Sequence, residues 1–114
     1  MVSPEKFRMA ALQFEEVDLS PHFEKESFRV KKKIFATLNP VKKLATVKLN
    51  QIDQSVFCAI DSAVLFPVPG AWGKQGWTHI NLKTVKNALL LDILTSAYCT
   101  VAPPKLALKY RSSE

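Results

Sequence analysis

The sequence predicts an α+β fold: an antiparallel β-sheet with helices packed on one face, a two-layer sandwich. Three observations predict it. The elements read in the order helix, strands, helix, strands, helix, and the strands are joined by connections of hairpin length. In the best-defined ribbon Phe28, Val30, Ile34, Ala36 and Leu38 share one parity while Arg29, Lys31, Lys33, Phe35 and Thr37 share the other. Such alternation gives one face to a core and one to solvent, as antiparallel sheets allow.

The first element is a helix. Ser3 supplies an N-cap, Pro4 the first helical position and Glu5 an acid in the first turn. Phe7, Ala10, Ala11 and Phe14 recur on one face, and the helix is expected to end near Phe14, before Glu15-Glu16 and a turn at Ser20-Pro21. A short strand is expected within 22–28. Next comes a hairpin turning around Lys31-Lys32, its apolar face including Ile34 and its basic outer face including Phe35. Asn39-Pro40 makes the next turn. Leu44 to Leu49 forms a strand with Ala45, Val47 and Leu49 inward and Thr46 and Lys48 outward.

Gln51 to Ile60 reads as a helix with Ile52, Val56, Phe57 and Ile60 on its apolar face. Ala63 to Phe66 is a short strand, followed by a fixed loop from Pro67 to Gly76. The stretch Pro67–Leu82 holds all three glycines and both tryptophans, so special backbone angles and packed aromatics coincide there. Trp77 to Leu82 alternates, Ile80 and Leu82 on one side and Trp77, His79 and Asn81 on the other. Thr84 is the expected cap of the last helix, whose stripe runs through Val85, Leu89, Leu90, Ile93, Leu94, Ala97, Tyr98 and Val101 until Pro103-Pro104 stops it. The tail is basic: Lys105, Lys109 and Arg111.

The 114 residues, 47% of them hydrophobic, make one expected domain spanning 1–114. A chain of that length buries roughly two thirds of its unfolded surface. No apolar run approaches the ~20 residues that span a bilayer, and 1–10 has no hydrophobic stretch of the signal-peptide kind. A cytoplasmic location and a monomer are expected, with Cys58 and Cys99 as thiols on apolar helical stretches rather than a disulfide. The formal charge of +6 is local. Between Ser27 and Asn50 stand Arg29, Lys31, Lys32, Lys33, Lys42, Lys43 and Lys48 with no acid, which leaves −1 over the rest of the chain. Glu15, Glu16, Asp18, Glu24 and Glu26 precede them as an acidic counterpart.

The run Ser20-Pro21-His22-Phe23, then Phe28-Arg29-Val30 and Lys33-Ile34-Phe35-Ala36-Thr37-Leu38, resembles the first half of the MmcQ/YjbR family. Pro67-Val68-Pro69-Gly70-Ala71-Trp72-Gly73-Lys74-Gln75-Gly76-Trp77-Thr78 resembles its second signature, and the last helix ending Ala97-Tyr98 before Ala102-Pro103 fits its C-terminal region. Lys31-Lys32 departs from the family in standing where a glycine often makes the hairpin turn, and Tyr98 in standing where a Trp is expected. The resemblance implies a CyaY-like fold, in agreement with the layer order above. It also implies a DNA-binding protein, because the family's hairpins are described as a double wing, an argument by shape.

The residues themselves offer a nucleic-acid-binding set: Arg29, Lys31, Lys32, Lys33, Lys42, Lys43 and Lys48, with Phe35 as a surface on which a base stacks. DNA or RNA is the expected partner. The ordinary alternative is a solvated outer face, where Lys also discourages edge-to-edge aggregation. A second candidate is a cleft of Trp72, Lys74, Trp77 and His79 for a small molecule, peptide or protein, against which stands simple packing of the two tryptophans onto the sheet.

Other chemistries have weaker signals. Gly70 to Gly76 lacks P-loop spacing, since two residues separate Gly70 from Gly73 and Gln75 follows Lys74. His22, His79, Cys58 and Cys99 show no metal-ligand spacing, and the acids read as a solvated run rather than the iron-handling ridge of frataxins. No cofactor and no metal are expected. Ser20 and His22 are explained by a turn, and no nucleophile, base and orienting acid assemble, so a binding protein and not an enzyme is expected.

Overall fold

The computed structural model describes residues 1–22 and 24–110. Phe23 and Arg111, and the side chain of His22, therefore lie outside the described residues. The order is α1 (Pro4–Leu12), β1 (Val17–His22), β2 (Lys25–Val30), β3 (Lys33–Asn39), β4 (Leu44–Lys48), α2 (Gln51–Ile60), β5 (Leu65–Pro67), α3 (Ala71–Lys74), β6 (Trp77–Asn81), α4 (Asn87–Val101) and α5 (Pro104–Ala107). Six strands form one antiparallel sheet in the order β1-β2-β3-β4-β6-β5. Helix α4 covers the middle of one face, against β3 and β4, and α1 packs beside it. The other face is open. No helix among the described residues is long and apolar enough to cross a membrane.

The expected α+β architecture is the observed one. The α1 N-cap is Ser3, whose hydroxyl accepts from the Lys6 amide at 3.1 Å. Tyr98, Phe28, Leu38, Val47, Leu49, Ile80 and Leu82 are all fully or almost fully buried between the layers. The β2–β3 hairpin turns at Lys31-Lys32, both with positive φ (51° and 68°), the signature of a type I′ turn that normally takes Asn or Gly. Cys58 and Cys99 are not joined in a disulfide, and both are half-buried.

Several expectations are corrected. Phe35 is fully buried and Ile34 is 39% exposed, the reverse of the alternation. The cause is a β-bulge: Phe28 pairs with Ala36 but Arg29 with Ile34, which leaves Phe35 as an extra residue turned into the core. There its ring sits edge-on to Tyr98 at 5.6 Å and to Phe14 at 6.3 Å. Ser20-Pro21 is no turn but part of β1, where an edge position tolerates the proline's missing N–H. The loop at 67–76 holds the single turn α3. The last helix starts at Asn87 with Lys86 as its N-cap, and Thr84 instead closes the preceding turn on the Asn81 carbonyl. Beyond Pro103, a further turn, α5, forms. The predicted apolar face of α2 is not buried: Ile52, Val56 and Ile60 are each more than half exposed, because only the Phe57–Cys58 side leans on the core.

Candidate functional site

The strand register decides which side chains share the open face. One row across it is Ser27, Thr37, Thr46, His79 and Phe66, directly paired from β2 to β5. Towards the β2–β3 hairpin the next row has Lys48 opposite Trp77, with Ile34 brought to the same face by the bulge. Towards the β3–β4 turn lie Lys25, Asn39 and Leu44. These rows floor a continuous groove. Its aromatic end, about 360 Å³, is lined by Ile34, Val68, Trp72 and Trp77. Its other end, about 240 Å³, is lined by Asn39, Lys42 and Leu44, and Lys25, Thr37, Thr46 and His79 border both. Among the described residues no carboxylate lines either end. A larger hollow of about 540 Å³, beside α4 and the start of α2, is lined among the described residues by Asp53 and by no cation. Its polarity suits an anion poorly, so the groove is the candidate site.

The groove is held by specific contacts. His79 Nδ1 and Thr46 Oγ1 lie 2.8 Å apart, and the Phe66 ring flanks the imidazole at 5.5 Å. Burial, and secondarily the Lys25 ammonium, push the His79 pKa below its ordinary 6.5. The neutral imidazole is therefore the resting form.

Trp72, 62% exposed, stands at the mouth, its ring 6.2 Å from that of Trp77 and inclined by 62°. Its carrier, α3, is too short to satisfy the carbonyls that end it and follow it, and four successive ones, Gly73 to Gly76, accept from outside the turn. Gln54 Nε2 donates to the Gly73 carbonyl at 2.9 Å and Gln51 Nε2 to Lys74 at 3.3 Å. Lys48 Nζ donates to Gln75 at 2.6 Å, and the Leu49 amide to Gly76 at 3.0 Å. The turn also approaches its neighbours so closely that only glycine fits. A Cβ on Gly73 would lie 1.9 Å from the Val68 carbonyl oxygen, and one on Gly76, where φ is 108°, 1.8 Å from that of Leu49.

The cations expected to act together are divided. Arg29 is ion-paired to Asp18 at 2.8 Å and Lys31 to Glu16 at 2.6 Å, both partners coming from β1 or its approach. Thus the acidic stretch folds beside the basic one and neutralises part of it. Lys48 is held by the Gln75 carbonyl and lies 5.5 Å over the Trp77 ring. Phe35, in the core, offers no base a surface. Lys32, Lys33, Lys42 and Lys43 are exposed and without an ion pair among the described residues. They sit at opposite ends of β3, roughly 20 Å apart at strand rise. Lys74 is exposed on α3 and does not line the groove.

The sequence reasoning missed Lys25 and Thr37 as groove residues. The parity of Lys25, Ser27 and Arg29 was the available signal, but the flanking acids obscured it. Of those acids, Glu15 pairs with Lys109 at 2.6 Å and Glu26 takes Arg8 through two bonds of 2.6 and 2.7 Å. No group of three or more potential metal ligands occurs among the described residues.

The YjbR family model matches residues 12–100. The crystal structure of the Deinococcus radiodurans protein DR2400, a DUF419 domain, superposes with a TM-score of 0.79 at 16% sequence identity, covering 96% of this chain and 88% of that one. At such an identity the likeness speaks for the fold. No curated protein matches the sequence significantly.

Proposed function

The chain belongs to the YjbR family, and on that premise we propose that it binds nucleic acid along the open face of its sheet, holding phosphate with lysine and reading little sequence. One observation carries this reading: the groove has Lys25 and Lys42 at one end, hydrogen-bonding side chains along its floor and, among the described residues, no carboxylate on its walls. Phosphate neutralisation needs cations free of acidic neighbours. The hairpin tip adds Lys32 and Lys33. Lys31 and Lys32 occupy left-handed backbone positions that cost a non-glycine residue about 1 kcal/mol each. Holding cations there against backbone preference favours a role for that tip.

The proposal differs from a uniform basic ribbon. Arg29 and Lys31 are already paired and Lys48 supports α3, so these three serve the fold first. Lys25, Lys32, Lys33, Lys42 and Lys43 carry the phosphate contacts. Affinity is expected at roughly 10⁻⁴–10⁻⁶ M at physiological salt, the range of non-specific binding. The protein acts as a binding module and not as an enzyme. His79 rests neutral against Thr46 beside a lysine, an environment for accepting and donating hydrogen bonds to a bound group.

A second reading has one observation in its favour: the aromatic end, about 360 Å³, falls within the size range of small-molecule sites. The test separates the two. Fluorescence anisotropy of labelled DNA and RNA at low salt, with the wild type and Lys25→Glu/Lys42→Glu, should show binding that the double variant loses by at least about tenfold. Failure of the wild type to bind, or a variant that binds as well, overturns the nucleic-acid reading and leaves the small-molecule groove in its place.

A further inference from the structure

We infer that the groove takes a single strand, with one unpaired base seated on Trp72 beside Trp77. The inference rests on the nucleic-acid reading above. Trp72 is the one aromatic residue among the described large hydrophobics that leaves more than half of its surface exposed. Its exposure is built, not loose: four successive carbonyls of the turn that carries it, from Gly73 to Gly76, accept from Gln54 and Gln51 of α2, Lys48 of β4 and the Leu49 amide just after β4. The inclined Trp77 ring closes one side of the notch and Ile34, displaced outward by the bulge, lies at its floor.

A flat apolar notch of this kind recognises the face of a base. In a duplex those faces are stacked on one another, so an indole at the mouth of a groove reaches them only where a base is unpaired. The next row of the floor, Thr37, Thr46 and His79, lies about 7 Å away at two residues of strand rise and presents hydroxyls and an imidazole nitrogen. One row further stands Lys25, with Lys42 in the β3–β4 turn beside it. Stacking surface, hydrogen-bonding groups and cations thus follow one another along a single line. A strand laid along this line stacks one base on the indole and brings a neighbouring phosphate to the cations, its sugar and backbone oxygens passing over the hydrogen-bonding groups. Tryptophan stacking tolerates any base, consistent with little sequence reading.

Three measurements on the full chain test it: anisotropy with labelled oligo-dT, anisotropy with the oligo-dT·oligo-dA duplex of equal length, and intrinsic tryptophan fluorescence. The wild type should bind the single strand about tenfold or more tighter than the duplex, with quenching. Trp72→Ala should lose about tenfold for the single strand, drawing the two affinities together, and Trp72→Phe should recover most of the preference. Circular dichroism checks that each variant keeps its fold. Duplex bound as tightly as single strand by the wild type, or a Trp72→Ala preference equal to the wild type's, overturns the single-strand inference while the nucleic-acid reading stands. Absence of binding to either probe at low salt overturns both.

Discussion

His79 Nδ1 lies 2.8 Å from Thr46 Oγ1 across the β4–β6 pair, which ties the imidazole to the floor of a groove whose charged lining is cationic among the described residues. The described groups facing it include the Lys25 ammonium, the Thr46 hydroxyl and the Phe66 ring; burial and Lys25 disfavour its protonation, and a backbone hydrogen bond with Ala45 works the other way.

That environment gives the first prediction. Burial first, then Lys25, lowers the folded-state pKa of His79 beneath the ordinary 6.5. The unfolded chain therefore binds this proton more readily than the folded one. The stability contributed by His79 is fully present above pH 6.5 and is lost as pH falls through the lower folded value. Thermal melts should show the wild-type Tm dropping more steeply than that of His79→Gln in mildly acid buffer, and Lys25→Ala should reduce the difference. A wild-type Tm that rises as the pH falls, relative to His79→Gln, is the opposite sign and contradicts the assignment.

The bulge gives the second. Phe35→Ala should cost about 3–5 kcal/mol, as for buried aromatic truncations, whereas Ile34→Ala on the open face should cost under about 1 kcal/mol. Denaturant melts of the two variants would read this directly. A larger cost for Ile34→Ala than for Phe35→Ala would mean that the alternation read from the sequence holds after all, and equal costs would contradict the bulge.

Most of the sheet was legible because Phe28, Val30, Leu38, Val47, Ile80 and Leu82 each keep the parity that a two-faced strand imposes. Phe35 was not, since a bulge leaves no mark in composition and an aromatic residue is equally at home on either side of a strand. The same shift hid the groove: with Ile34 assigned to the core, the aromatic end lacked one of the apolar residues that line it. Edge strand β1 was hidden by Pro21, which reads as punctuation unless its edge position is known. Charge pairing across strands was equally invisible, so the partners Asp18–Arg29 and Glu16–Lys31, distant in sequence, read as two separate clusters. Lys25 stood among acids in the sequence and among threonines in the fold.

The turn that bears Trp72 gives the third prediction. Gly76→Ala combines a disfavoured φ of 108° with a Cβ 1.8 Å from the Leu49 carbonyl oxygen, and Gly73→Ala meets the Val68 carbonyl at 1.9 Å. Each should cost about 3 kcal/mol by strain and forced displacement. Gly70, also at positive φ, has open space around its would-be Cβ and should cost less on alanine substitution. Urea melts of the three variants rank them, and a Gly70 variant as damaged as the other two would contradict the close-approach argument.

The hairpin tip gives the fourth. Lys32 has φ of 68° and no ion pair among the described residues, so Lys32→Gly relieves backbone strain without breaking a contact. Stability should rise by up to about 0.5 kcal/mol, since glycine's extra unfolded-state entropy offsets much of the roughly 1 kcal/mol of strain relieved. Nucleic-acid affinity should fall in the same variant. A rise in stability with unchanged affinity would remove the tip from the binding surface.

The dependence of affinity on salt tests the central claim most directly. For a single strand, log K falls against log salt by about 0.7 for each phosphate neutralised. If Lys25 and Lys42 each hold a phosphate in the groove, Lys25→Ala/Lys42→Ala should bind more weakly and flatten the slope by about 1.4 relative to the wild type. Equal slopes for the two proteins would place the phosphates elsewhere and contradict the groove as the nucleic-acid site.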